Sequence, residues 1–150
     1  MTMPKKNVEV VQSLYDAFNR GDMEGILAPM HENVEFVEDP AIRPDAGSYR
    51  GIAAARDFFQ QIWDFVPHVG DRPEVGIQAE EFIEHEDKVI VPVRLYGRAR
   101  FTGLEVEFFL VHVWTVEGDK ITHHHVYRDK AQALEAIGLR KPDVQRGRSA

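Results

Sequence analysis

Residues 105–128, EVEFFLVHVWTVEGDKITHHHVYR, decide the fold of this chain. Apolar and polar side chains alternate on both sides of Gly118-Asp119, which is typical of strands that are buried on one face. A two-residue loop that begins with glycine suits a tight β-hairpin. The stretch therefore predicts an antiparallel hairpin of two strands, Glu105–Val116 and Lys120–Arg128.

The remaining periodicities extend this hairpin into an α+β domain. Apolar residues at helical spacing predict amphipathic helices, and alternation predicts further strands. Asp22 and Asp129 are expected to cap helices, and Gly138 is expected to end the last one. In chain order, the predicted elements before and after the hairpin are helix Lys5–Arg20, helix Met23–Ala28, strand Val34–Glu38, loop Pro40–Tyr49, helix Ile52–Phe65, strand Glu74–His85, strand Lys88–Phe101 and helix Lys130–Ile137.

Length and composition exclude several classes of protein. A chain of 150 residues suits one domain, for which we expect residues 1–139, followed by a flexible basic tail over residues 140–150. The net charge of −7 argues against nucleic acid as a partner. Without cysteine, thiolate catalysis and thiolate metal sites are excluded. No long apolar run or signal peptide is visible, so we expect no membrane span and a cytoplasmic location.

A second turn, Thr102-Gly103, predicts the register of the neighbouring hairpin. It places Arg94 opposite Val111, and it pairs Arg98 with Glu107, which is an opposite-charge cross-strand pair. One predicted face then carries Arg94, Tyr96, Arg98, Phe109, Val111, Val113, His124, Val126 and Arg128. The other carries Val93, Leu95, Leu110, His112, Trp114, His123, His125 and Tyr127. Both faces are rich in large side chains, so we expect helices to cover one and a second copy of the chain to cover the other.

The run His123–His125 suggests a metal site as one interpretation. The Gly118-Asp119 turn places His112 opposite His125 and Val113 opposite His124, so His112, His123 and His125 share the second face. Imidazole suits zinc or copper, but structural zinc usually has four ligands and no carboxylate completes this set. We therefore predict no metal and no other cofactor, and interpret the face as a polar, aromatic dimer surface.

Several short segments, taken in order, resemble the nuclear transport factor two-like superfamily. The chain is similar, from about Val8 to Leu139, to the branch that holds ketosteroid isomerase and the SnoaL-like polyketide cyclases. The resemblance implies a cone-shaped fold in which a curved sheet wraps round helices, encloses an apolar pocket and often forms a dimer through its convex face. It rests on Val10-Val11-Gln12, Asn19-Arg20-Gly21-Asp22, Val37-Glu38-Asp39-Pro40, Arg50-Gly51, His112-Val113-Trp114-Thr115, and Ala133-Leu134 followed by Gly138-Leu139.

Asp39 is the candidate catalytic base. A carboxylate at the end of a strand can remove a proton, although an Asp-Pro pair also serves simply to end a strand. The resemblance implies the first role, because the matching Asp of ketosteroid isomerase removes a proton next to a carbonyl. The two oxyanion donors of that isomerase correspond to Leu14 and Val111 here, and neither side chain can donate. Steroid isomerisation by the same mechanism is therefore not expected.

Arg94 and His124 are the other candidate catalytic residues. In the predicted register, Arg94 would stabilise negative charge and His124 would carry protons. The alternative is that Arg94 and Arg98 pair with acids such as Glu107, and that His124 is a buried core histidine. The residues expected to line the pocket are Tyr15, Phe18, Phe58, Phe59, Trp63, Tyr96, Arg98, Phe109, Val111, Val113 and Val126.

These expectations leave three functions open. The first is a cofactor-free acid/base enzyme of isomerase, cyclase or hydrolase type, acting on an apolar carbonyl or polyketide-like substrate. The second is a module that binds a small apolar organic ligand without chemistry. The third is a dimeric interaction domain that uses only its outer surfaces. Fold alone does not choose among them, because one architecture hosts many functions.

Overall fold

The computed structural model describes residues 7–38, 48–65, 68–69, 72–73, 75–98 and 102–139. Its helices are α1 (Asn7–Arg20), α2 (Met23–Leu27), α3 (Ile52–Phe65) and α4 (Lys130–Ala136). Its strands are β1 (Met30–Glu38), β2 (Ser48–Arg50), β3 (His68–Val69), β4 (Arg72–Pro73), β5 (Val75–Ala79), β6 (Ile83–His85), β7 (Lys88–Arg98), β8 (Glu105–Glu117) and β9 (Lys120–Tyr127). Within this part of the chain, no helix has both the length and the apolar character needed to span a membrane.

The main sheet has the order β2-β1-β9-β8-β7-β5, and β6 also pairs with β7. Strands β1 and β9 are parallel, and the other pairs are antiparallel. The sheet is curved and does not close on itself. The predicted α+β class and the mixed, curved sheet are therefore confirmed.

Local signals in the sequence placed most elements well. Helix α3 has the predicted bounds, and Asp22 and Asp129 cap α2 and α4 by accepting hydrogen bonds from backbone N–H groups three residues later. Gly138 has a φ of 86°, as expected for the glycine that ends a helix. The predicted strand 74–85 is instead two strands, β5 and β6, and the short β3–β4 hairpin was not predicted.

Gly118 and Asp119 form the predicted tight turn between β8 and β9. Their φ angles of 57° and 67° are both positive, as a type I′ turn requires. Glu117 pairs with Lys120 directly beside this turn. The hairpin itself is therefore confirmed.

A β-bulge at Thr122 changes the register beyond the turn. Val116 pairs with Ile121, but the next pair along the hairpin is Thr115 with His123. Thr122 is therefore an extra residue on β9, and it shifts every later pair by one position. In a strand, a shift of one position sends each side chain to the opposite face.

The predicted pairs of His124 with Val113 and of His125 with His112 are consequently wrong. Trp114 lies opposite His124, and Val113 lies opposite His125. The β7–β8 register also differs from the prediction, since Arg94 pairs with Phe109 rather than with Val111. This second shift is of two positions, so it leaves the faces of β7 and β8 unchanged relative to each other.

The sheet therefore has an inner face, packed on α1 and α3, and an outer face, packed on α4. The inner face contributes Phe36, Val93, Leu95, Leu110, Trp114 and Val116 to the main core. On the outer face, Ile90, Val111 and Val113 form a smaller buried cluster with Ala133 of α4. Because α4 covers this cluster, the outer face does not need a second copy of the chain to bury Val111 and Val113.

Candidate functional site

The inner face of the sheet, α1 and α3 enclose a cavity of about 670 Å³. This volume is typical of pockets that bind small organic molecules. Polar residues of the wall are the buried Tyr15, His112 and His124 and the exposed Gln61, Tyr96 and Arg128. Apolar residues form most of the wall, among them Leu14, Phe58, Phe59, Ile62, Ile77, Leu95, Phe108, Leu110, Trp114 and Val126.

Tyr15 lies at the centre of a buried hydrogen-bond chain. Trp114 Nε1 donates to Tyr15 Oη over 2.8 Å, and Tyr15 Oη lies 2.7 Å from His112 Nδ1. Burial raises the pKa of Tyr15, and the hydrogen bond from Trp114 opposes that rise only in part. The phenol is therefore protonated at neutral pH and remains a hydrogen-bond donor.

His112 presents one nitrogen to Tyr15 and the other to the cavity. Its ring is nearly parallel to that of Tyr15, with 7° between the planes and 5.9 Å between the centroids. Burial lowers the pKa of His112 to about 3, so the imidazole is neutral at physiological pH. The Nε2 atom has no protein partner in the described residues, yet it is not one of their fully enclosed atoms. A molecule in the cavity therefore reaches this nitrogen.

His124 is more deeply enclosed than His112. Both of its ring nitrogens are buried and lack a hydrogen-bond partner among the described residues. Its ring packs between aromatic neighbours, with centroids 4.1 Å from Trp114, 4.7 Å from His112 and 4.9 Å from Phe36. Burial, reinforced by His112 and by His125, lowers the pKa of His124 well below its ordinary value. His124 is therefore a neutral part of the cavity wall.

The predicted pocket residues divide into three groups. Tyr15, Phe58, Phe59, Val126 and His124 line the cavity. The exposed Tyr96 and Phe109, which belong to the outer face by strand alternation, also contribute to the rim of the cavity. Phe18 and Trp63 are buried in the core, with ring centroids 5.6 Å apart, and are not part of the wall. Arg94, Arg98, Val111 and Val113 belong to the outer face.

The prediction that Arg94 and Arg98 face the pocket is wrong. Arg94 donates to Glu107 over 2.7 Å and to Gln78 over 3.2 Å, and its guanidinium lies 4.3 Å from the ring centroid of Tyr96. Arg98 lies opposite Glu105 rather than opposite the predicted Glu107, and its guanidinium is 3.6 Å from the Glu105 carboxylate. The bulge explains the error, because it removes His124 from the face that carries both arginines.

The same bulge explains why the sequence did not predict His112 as a cavity residue. The predicted register assigned His112 and Trp114 to the outer face, whereas both line the cavity. One signal in the sequence points to the bulge. Ile121 and Val126 are both apolar, yet an uninterrupted strand would place residues five apart on opposite faces. Both are buried here, because the extra residue Thr122 lies between them and shifts the alternation of side chains by one position.

The predicted cluster of His112, His123 and His125 does not exist. His112 lies on the inner face, whereas His123 and His125 stack on the outer face with ring centroids 6.3 Å apart. Across the described residues, no group of three or more histidine, aspartate or glutamate side chains is arranged to hold a metal ion.

Asp39 and most of the predicted loop Pro40–Tyr49 lie outside the described residues. Strand β1 ends at Glu38, which pairs with Val126 of the cavity wall. The role of Asp39 therefore stays a prediction, while the strand that precedes it reaches the edge of the cavity.

Comparison with solved structures shows the same fold in other proteins, two of which hold a bound organic molecule. The structure of TerC co-crystallised with polyporic acid is 27% identical with a TM-score of 0.68, and the match covers 87% of this chain and 97% of TerC. The epoxide hydrolase/cyclase-like enzyme SalBIII is 23% identical with a TM-score of 0.67, covering 82% and 90% of the two chains. A Mycobacterium tuberculosis protein in complex with estradiol-17beta-hemisuccinate is 20% identical with a TM-score of 0.67, covering 82% and 93%.

Among curated proteins, none matches this chain. The sequence model of the SnoaL-like domain, by contrast, matches residues 11–124. That span includes most of α1, all of α3, most of the sheet and the Tyr15–His112 pair. The chain therefore belongs to the SnoaL-like domain family.

Proposed function

We propose that the protein binds a small, largely apolar organic molecule in this cavity and carries out cofactor-free acid/base chemistry at a carbonyl group of that molecule. The observation that carries the proposal is the hydrogen-bonded pair Tyr15–His112, buried in an otherwise mostly apolar wall. Polyporic acid in the TerC structure and estradiol-17beta-hemisuccinate in the mycobacterial protein are small organic molecules held by proteins of this fold, which supports binding of such a ligand here.

The proposed chemistry is removal of a proton next to the carbonyl. The carboxylate of Asp39 takes the proton from the alpha carbon, the electron pair moves to the carbonyl oxygen, and an enolate forms. Where a carbon–carbon double bond is conjugated with the enolate, return of the proton at its far carbon moves the double bond and isomerises the substrate. Alternatively, attack by the enolate carbon on a second carbonyl, whose oxygen then takes up the proton, closes a ring. His112 Nε2 stabilises the oxygen, which is the role that the sequence assigned to Arg94. A neutral imidazole is a suitable donor, because it supplies its proton as a hydrogen bond without transferring it.

Hydrogen–deuterium exchange tests this proposal. The purified protein is first examined by native mass spectrometry for a retained small molecule, and then incubated with 1-tetralone in D₂O. We expect exchange of the alpha protons above the buffer background, strong loss in Asp39→Asn, and partial loss in His112→Gln. His123→Gln is the matched control, since His123 lies on the outer face. Exchange that is equal in the wild type and in Asp39→Asn would show that Asp39 is not the base.

Binding without chemistry is the second candidate function. It is favoured by one observation, that no described residue of the cavity wall is an aspartate or glutamate. Under this alternative, 1-tetralone binds saturably but its alpha protons exchange at the buffer rate. The exchange measurement therefore separates the two functions.

We also propose a homodimer through the outer face, with a set of residues that only partly matches the predicted one, since Tyr127 lies on this face as predicted. Trp114 and Leu110 face the cavity, so they no longer support the dimer. Phe109 shares the outer face by strand alternation and is 59% exposed, beside Tyr96 at 38%. Light scattering of the wild type is expected to give twice the chain mass, and Phe109→Ser is expected to shift the mass toward one chain. A wild-type monomer at micromolar concentration contradicts the dimer.

A further inference from the structure

The hydrogen bonds of the Trp114–Tyr15–His112 chain have one consistent direction. An indole N–H can only donate, so Trp114 must be the donor and Tyr15 Oη the acceptor of the hydrogen bond between them. The phenol proton of Tyr15 then has one acceptor within hydrogen-bond distance among the described residues, His112 Nδ1 at 2.7 Å. Nδ1 is therefore the unprotonated nitrogen of the ring.

The opposite direction leaves a buried group without a partner. If His112 Nδ1 carried the proton, Tyr15 Oη would accept from both Trp114 and His112, and its own O–H would have no acceptor. Tyr15 is 3% exposed, and among the described residues its hydroxyl has no hydrogen-bond partner other than these two. Leaving a buried donor of this kind unpaired is unfavourable enough to select one tautomer.

The neutral ring of His112 must then carry its proton on Nε2, the nitrogen that faces the cavity. Neighbouring rings restrict its orientation, since the ring meets Trp114 and His124 edge to face at 86° and 74° between planes. A flip of the imidazole about its Cβ–Cγ bond would replace Nδ1 by a carbon next to Tyr15 Oη and so lose this hydrogen bond. The cavity therefore presents a donor of fixed position rather than an adaptable histidine.

We propose that Tyr15 is a positioning residue that holds His112 as a fixed Nε2–H donor, and that this donor makes the cavity selective for ligands with an unhindered carbonyl oxygen at their inner end. The selectivity rests on the proposed function, whereas the tautomer of His112 is a property of the protein alone. Apolar molecules of the same shape without an acceptor leave the Nε2–H donor unpaired, and molecules that only donate meet no acceptor there.

Nitrogen-15 NMR of the protein without ligand tests the positioning role. Long-range proton–nitrogen correlation spectra near neutral pH distinguish the two neutral tautomers of each histidine. We expect a single Nε2–H tautomer for His112 in the wild type and in Trp114→Phe, which keeps the Tyr15 donor. In Tyr15→Phe, we expect both tautomers in exchange, because Nδ1 loses its partner. A wild-type ring protonated at Nδ1, or a folded Tyr15→Phe variant with an unchanged spectrum, overturns the assignment.

A pair of rigid probes tests the selectivity. Fluorenone and fluorene share a shape, but only fluorenone has a carbonyl oxygen. We expect the wild type and the control His123→Phe to bind fluorenone about five- to tenfold more tightly, as one hydrogen bond implies, and His112→Phe to bind the two probes equally. Equal binding by the wild type overturns the selectivity. If neither probe binds, the proposed ligand class fails, and the NMR spectra alone decide the role of Tyr15.

Discussion

Acid should destabilise this protein through His112, and the size of the effect follows from the burial of the ring. The pKa of His112 falls from 6.5 to about 3 on folding, so the folded state keeps the ring neutral while the unfolded chain binds a proton. This stability is fully present above pH 6.5 and is lost as the pH falls toward 3. The side chain is 9% exposed, so solvent screens it little.

The expected loss is about 2 kcal/mol in the free energy of unfolding between about pH 7 and about pH 5, from this residue alone. Over the whole acid range the same histidine would account for about 5 kcal/mol, a large share of the stability of a small domain. Other histidines add to the total, so the informative quantity is the change in pH dependence when one of them is removed. Glutamine at position 112 keeps a polar partner for Tyr15 and does not titrate.

Urea unfolding, followed by tryptophan fluorescence and circular dichroism at about pH 7, 6 and 5, measures this quantity. His112→Gln is expected to lose about 2 kcal/mol less than the wild type over this range, whatever its stability at neutral pH. His123→Gln is the matched control, because His123 lies on the outer face and its side chain is 42% exposed. A His112→Gln variant with the full wild-type pH dependence would refute the neutral, buried state of His112.

Three further substitutions probe the architecture. Arg94→Ala is expected to cost no more than about 1 kcal/mol, because its ion pair is partly exposed, and to leave fluorenone affinity unchanged; urea unfolding and titration measure both. Deletion of Thr122 should abolish cooperative melting, since His124 would turn to the outer face, and a variant with a native melting transition contradicts the bulge. Gly25→Ala should destabilise by about 1–3 kcal/mol, although alanine usually favours a helix, because its Cβ would lie 2.9 Å from Ala17 Cβ. An unchanged melting temperature would show that α2 moves to make room.

The candidate site was only partly predictable. The sequence identified His124, Tyr15, Phe58 and Phe59 as cavity residues, because helical periodicity and the alternation of side chains along β9 need only local information. It predicted Arg94 rather than His112 as the group that stabilises the substrate oxygen, because the side chains on the inner face of β8 are determined by pairing across a hairpin and not by a local pattern. Tyr15 and His112 are 97 positions apart in the sequence, so no local pattern predicts their contact.

By itself, the sequence determined the elements whose causes are local. The apolar period of α1, the Asp129 cap and the Gly118-Asp119 turn each depend on a few neighbouring residues, and the structure has all of them. Only the tertiary structure decided which face of each strand is buried. The turn is compatible with a regular hairpin and with one that has an extra residue at Thr122. The structure has the second, and that choice depends on long-range packing of β9 against the core. The cavity and its exposed histidine follow from that choice.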